Sequence, residues 1–264
     1  MNVQERIEAG LSVLQGKVYR VVESQEEIAT TQLVDTTQEQ IRLEELLELS
    51  KPTRPDDTGS LHYLLATPFR YPPLKYGSRF GRAFEKSLFY GAMSVNTALA
   101  EAAFYRFVFI SDMVTPYPKP LKTQHTVFSA RMRTDKGLRL QNQAWADMHE
   151  ALTAPDSYDA CQSLGTNMRQ AGVEAFQFLS ARARQAGLYS LPYTSSRGLE
   201  GVNAALYTPR AFKDQKPGSR SRLIIMADPS IVTMSLTNED GEKTASEFRR
   251  EDFLVNGALP HPAS

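Results

Sequence analysis

The rhythm of apolar and polar positions changes several times along the chain. Residues 18–22 (VYRVV) form a short β-branched run, which favours a strand. From 25 to 50 the spacing turns helical. Ile28, Leu33, Val34, Ile41, Leu43, Leu46, Leu47 and Leu49 make an apolar stripe, and Glu39, Glu44, Glu45 and Glu48 a solvated face. Thr36 and Thr37 interrupt the stripe, so two helices are expected there rather than one. Residues 61–67 (LHYLLAT) fit a strand or a short helix, and 87–92 (SLFYGA) read as a strand. Ser94 then offers an N-cap to VNTALAEAAFYRFVFI, whose few polar residues predict a mostly buried helix. Residues 126–133 read as a strand, and 155–186 as mostly helical with a break at Gly172. Residues 187–209 read as strand, Gly-rich turn and strand. Residues 223–227 and 231–236 are two further strands before a turn at 238–241 (NEDG).

Between these elements lie loops. Residues 51–60 (KPTRPDDTGS) and 115–122 (TPYPKPLK) are loops by composition. Residues 69–82 (FRYPPLKYGSRFGR) carry two adjacent prolines, which exclude a helix interior, and a mixture of Gly, Tyr and Arg suited to a binding loop. No internal repeat appears, and predicted strands continue to the C-terminus without a linker. The expected architecture is α+β, a mixed central sheet flanked by helices. It forms one domain over 1–264, with 25–70 as an accessory helical and loop segment.

Composition narrows the function. Of 264 residues, 30 are Lys or Arg and 30 Asp or Glu, so the formal charge is zero. That removes the electrostatic footprint of a nucleic-acid binder. The one cysteine, Cys161, allows no disulfide within the chain. Four scattered histidines show no metal-ligand spacing, so no metal is expected. The N-terminus lacks the apolar core of a signal peptide, and no apolar run approaches the roughly 20 residues of a membrane span. A cytoplasmic protein without a membrane partner is the expectation, and a homo-oligomer is compatible with it.

Five positions stand out chemically. Glu101 lies on the apolar helix with Thr97, Ala98, Phe104 and Tyr105 as helical neighbours. A carboxylate there needs a partner or an opening to a cleft. The bland alternative is a buried ion pair with Arg79 or Arg106. Arg79 sits between Gly77 and Gly81, presenting a planar donor fork where a ligand can approach closely. The alternative is an arginine solvated on a loop. Tyr90, near a strand end, is either an ordinary core tyrosine or a stacking surface for a flat ring. Ser195 and Ser196, before Arg197-Gly198, are either turn residues or cleft-facing hydroxyls. Eleven residues separate Arg79 from Tyr90, and eleven separate Tyr90 from Glu101, so a loop, a strand end and a helix can converge on one cleft.

The stretch YGSRFGRAFEKSLFYGAMSVNTALAEAAFYR resembles the core of the RES-domain family, toxins of bacterial RES–Xre toxin–antitoxin pairs. The matching residues are Gly77-Ser78-Arg79-Phe80, Tyr90-Gly91-Ala92 and Ala98-Leu99-Ala100-Glu101. VYRVVESQ resembles the opening strand and brings Arg20. YTSSRGLEGVNAALYTPRAF resembles the segment with the family serine, placed at Ser195, with Ser196 and Ser180 as rivals and Ser180 expected within a helix. The resemblance implies an ADP-ribosyltransferase-like fold and an NAD-consuming activity, either glycohydrolase or phosphorolase action on NAD or protein ADP-ribosylation. Glu101 would then stabilise the ribosyl cation, Arg79 and Arg20 would meet the pyrophosphate, Tyr90 would stack on nicotinamide and Ser195 would bond nicotinamide or ribose. An Xre-type antitoxin is the implied partner. A catalytically silent relative that only binds a partner protein is the alternative. A nucleic-acid-binding regulator is a third reading, opposed by the zero net charge.

Overall fold

The computed structural model describes residues 2–24, 34–115, 118–194 and 198–261. Its elements in chain order are α1 (Val3–Gly10), β1 (Ser12–Glu23), α2 (Thr37–Ser50), α3 (Tyr63–Arg70), β2 (Phe89–Ala92), α4 (Val95–Ser111), β3 (Leu121–Arg139), α5 (His149–Leu152), α6 (Asp159–Gln170), β4 (Ala175–Leu179), α7 (Ala181–Gln185), β5 (Val202–Leu206), β6 (Arg220–Ala227), β7 (Ile231–Thr237) and β8 (Lys243–Arg249). The fold is α+β, with an eight-stranded sheet in the order β1-β2-β5-β4-β3-β6-β7-β8. It is mixed through a single parallel pairing, β3 with β4.

Two long strands set the frame. β1 and β3 pair antiparallel from Ser12 opposite Gly137 to Glu23 opposite His125. β1 also meets β2, at Tyr19 opposite Ala92. The strands β1, β2, β5, β4 and β3 therefore pair round in a ring, and β6–β8 extend from the first half of β3. Helix α4 lies against β1 and the β6–β7 wing, burying Leu99, Phe104 and Phe107 with Leu223, Ile225 and Phe253. As the sequence predicts, Ser94 caps it, its hydroxyl accepting from the Thr97 amide at 3.2 Å. Such a cap is worth about 1 kcal/mol. No helix among the described residues is long and apolar enough to cross a membrane.

The sequence reading misses one strand within 155–186, for a physical reason. Residues 155–186 hold two helices, α6 and α7, and the first ends before Gly172 as expected, but β4 stands between them. All five residues of β4 (AFQFL) are buried, Gln177 included, so the strand lacks the in–out alternation of a half-buried strand and a short buried segment of this kind looks the same in a helix. Residues 61–67 resolve to helix α3. Within 25–50 the described residues hold one helix, α2, opened by a reciprocal Thr36–Glu39 cap. Its apolar stripe is not covered: Ile41, Leu46, Leu47 and Leu49 are all exposed. The second helix expected here falls on residues 25–33, outside the described residues.

One buried group makes the fold pH-sensitive. His125 on β3 is buried, with Nε2 accepting from Arg106 Nη2 and from Thr123 Oγ1, each at 2.9 Å. Burial, reinforced by the Arg106 charge and opposed by Glu23, lowers its pKa from 6.5 to about 4. The unfolded chain therefore takes up a proton in that window that the folded chain refuses. Stability is expected to fall as pH drops from about 6.5 towards 4. His125→Gln should flatten that decline, read as urea midpoints across the window. An equal decline in both proteins would contradict it.

Candidate active site

A cavity of about 570 Å³ opens beside α4 and is lined by Arg20, Arg79, Tyr90 and Glu101. Four of the residues read from the sequence thus meet there, delivered by β1, the 77–81 loop, β2 and α4. The volume is in the range of roughly 300–1,000 Å³ typical of small-ligand pockets. Ser195, like its rival Ser196, lies outside the described residues. Ser180 is described, and it stands beside Glu101.

The loop that carries Arg79 is held from several sides. Gly77 adopts φ +76°, and a Cβ there would stand 2.3 Å from the Gly81 carbonyl oxygen, so the turn requires glycine. The Ser78 amide donates to the Gly81 carbonyl at 2.7 Å. The Phe80 amide donates to Tyr90 Oη, and Ser78 Oγ bonds the same phenol, each at 2.9 Å. Gly165 of α6 lies directly under Phe80: a Cβ there would be 2.3 Å from the Phe80 carbonyl. Tyr90 is therefore a strut as well as a wall. Burial pushes its phenol above the ordinary range, so it stays neutral.

Three guanidinium groups face this cavity, and none makes a contact ion pair among the described residues. Arg79 Nη1 donates to the carbonyls of Leu152 and Ala154 at 3.2 and 3.0 Å, and its Cζ lies 4.8 Å from the Tyr158 ring centroid. Its Nε and Nη2 make no hydrogen bond among the described residues. Arg20 Nη1 donates to the Tyr90 carbonyl at 3.3 Å, and its Cζ lies 5.1 Å from the Phe89 ring. Burial lowers the Arg20 pKa to about 10, which leaves it charged at neutral pH. Arg182 of α7 is only 3% exposed. It donates to Gln185 Oε1 and to the Pro155 carbonyl at 2.7 and 2.9 Å, and its Cζ lies 3.5 Å over the Phe104 ring.

Against these cations stands one carboxylate. Glu101 Oε1 accepts from Ser180 Oγ and from Asn203 Nδ2, each at 2.7 Å. Oε2 takes no hydrogen bond among the described residues. The ion-pair alternative is not realised, since Arg106 turns to Glu23 at 3.3 Å. Ser180 is not inside a helix but caps α7, accepting from the Ala183 amide at 2.9 Å. It is fully buried, so its hydroxyl orients Glu101 from behind. The site can therefore hold a flat, anionic ligand, with guanidinium donors for negative charge, aromatic walls for a ring and one aimed carboxylate oxygen.

Arg182, Asn203 and Tyr158 also line the cavity and were not picked out from the sequence. Asn203 had a readable signal, a lone polar residue in the buried strand VNAAL. Arg182 and Tyr158 had none, because α7 and the turn before α6 carry no distinctive pattern.

No curated protein matches the chain. A family model described as the RES domain matches residues 51–226. That span contains the 77–81 loop, Tyr90, Glu101, Ser180 and Asn203, and it leaves Arg20 on the preceding strand outside. With two thirds of its length matched over these site residues, the chain belongs to the RES domain family.

Proposed function

We propose that this protein consumes NAD by cleaving the nicotinamide–ribose bond, as the toxin of a toxin–antitoxin pair. RES domains are associated with NAD-related toxin–antitoxin systems. The observation that carries the reading is three guanidinium groups without contact carboxylates, set round one carboxylate in an aromatic-walled cavity. Burying cations without anions is costly, and a pyrophosphate removes that cost.

In the reaction the bond from ribose C1′ to nicotinamide breaks, and nicotinamide leaves neutral with the electron pair. Positive charge then spreads over C1′ and the ring oxygen. The free oxygen of Glu101 would stabilise that charge and hold the ribose, while Ser180 keeps the carboxylate in place. Tyr90 and Phe178 supply apolar surface for the departing ring. An acceptor (water, phosphate or a protein side chain) then bonds C1′ and loses its proton. An Xre-type antitoxin is the proposed partner, and the uncovered apolar face of α2 suits a protein surface.

Purified protein should release nicotinamide from NAD. Arg79→Lys should raise the KM about tenfold or more, because a point charge replaces a fork whose Nε and Nη2 are still free to donate. The absence of nicotinamide from the wild-type reaction contradicts the reading. An unchanged KM removes Arg79 from pyrophosphate binding.

A further inference from the structure

Asn203 occupies the middle of the ring of strands, on β5. Ala92 of β2 is its neighbour on one side and Phe178 of β4 on the other. It is 7% exposed and lines the cavity. Its Nδ2 donates to Glu101 Oε1 at 2.7 Å. Its Oδ1 is buried and has no hydrogen-bond partner among the described residues. The amide cannot simply turn over to cure this, because that would face its oxygen against the carboxylate. A buried acceptor left without a donor is costly, and structures seldom keep one without use.

Glu101 has a matching vacancy, since its Oε2 also takes no hydrogen bond among the described residues. Two acceptors without a donor among the described residues thus belong to neighbouring residues that both line the cavity, joined by the Asn203–Glu101 contact, in a cavity that also holds three guanidinium groups. We propose that Asn203 Oδ1 and Glu101 Oε2 together bind a vicinal diol, one hydroxyl each, and that Asn203 thereby selects a ribose with both hydroxyls free next to the scissile bond. The inference rests on the NAD reading above and adds a substrate-contacting residue and a substrate requirement to it. A carbonyl oxygen rejects an analogue that lacks the hydroxyl, because the acceptor is then sealed away unpaired.

The test compares NAD with its 2′-deoxy and 3′-deoxy nicotinamide-riboside analogues, using wild type, Asn203→Ala and Asn203→Asp. Wild type should lose about tenfold or more in kcat/KM for the analogue missing the hydroxyl that Asn203 reads. In Asn203→Ala, kcat/KM for NAD should fall by a similar factor, and the same deletion should then cost nothing more. Asn203→Asp keeps an acceptor but sets a second carboxyl against Glu101, so the acidic limb of the pH–rate profile should move to higher pH. A merely structural asparagine would leave the deletion cost equal in wild type and Asn203→Ala, and that result overturns the proposal. Circular dichroism identifies a variant that has not folded, and Asn203→Asp then carries the comparison through its pH profile, where an unmoved limb counts against the proposal. Wild type that cleaves NAD with equal deletion costs refutes the diol contact alone. Wild type that neither binds nor cleaves NAD refutes the underlying reading as well.

Discussion

Glu101→Gln is expected to fold like the parent protein and to release nicotinamide from NAD at least about a hundredfold more slowly. The amide matches the carboxylate in size, and its carbonyl oxygen can still accept from Ser180 and Asn203. No arginine is left stranded, because none is in ion-pair contact with Glu101 among the described residues. What disappears is a full negative charge beside the carbon that becomes cationic. A thermal midpoint that collapses in Glu101→Gln would instead make the carboxylate a structural element. Unchanged turnover in a folded variant would remove it from the chemistry.

Arg20→Met is expected to separate binding from stability in the opposite sense. The guanidinium is partly buried, has one long hydrogen bond to the Tyr90 carbonyl and stacks on Phe89. Nothing negative offsets its charge at contact distance among the described residues. A methionine of similar length keeps the stacking and removes the desolvation cost, so the melting temperature should hold or rise. NAD affinity should drop roughly 10- to 100-fold, the worth of charge-assisted bonds to a phosphate. A marked loss of stability with unchanged NAD affinity would make Arg20 a fold residue. The contrast is useful because Arg20 lies before the span that the family model matches.

The site was legible where a polar residue breaks an apolar pattern. Glu101 on its greasy helix can be read that way, the glycines round Arg79 mark its loop and Tyr90 stands out as an aromatic near a strand end, whereas Arg20 comes only with the resemblance of VYRVVESQ to the family's opening strand. Asn203 in VNAAL carries the same signal as Glu101. Ser180 was passed over because its segment reads as helix. β4 is hidden by complete burial, so the serine that ends the strand and caps α7 loses its setting. Fold class followed from the strand signals, but the ring of pairings did not. It depends on β1 reaching both β2 and β3, a tertiary relation that local pattern does not encode. The α2 stripe shows the converse limit, since periodicity specifies a helix without specifying what covers it.

The central claim is that the Arg20–Arg79–Glu101 cavity is a dinucleotide pocket. Calorimetric titration of NAD into Glu101→Gln, which should bind without consuming it, tests this most directly. The prediction is saturable binding at one site per chain, abolished or strongly weakened when Arg20→Met and Arg79→Lys are combined in the same protein. Absence of heat and of any thermal stabilisation by NAD in the folded single variant, or binding indifferent to both arginines, would contradict it.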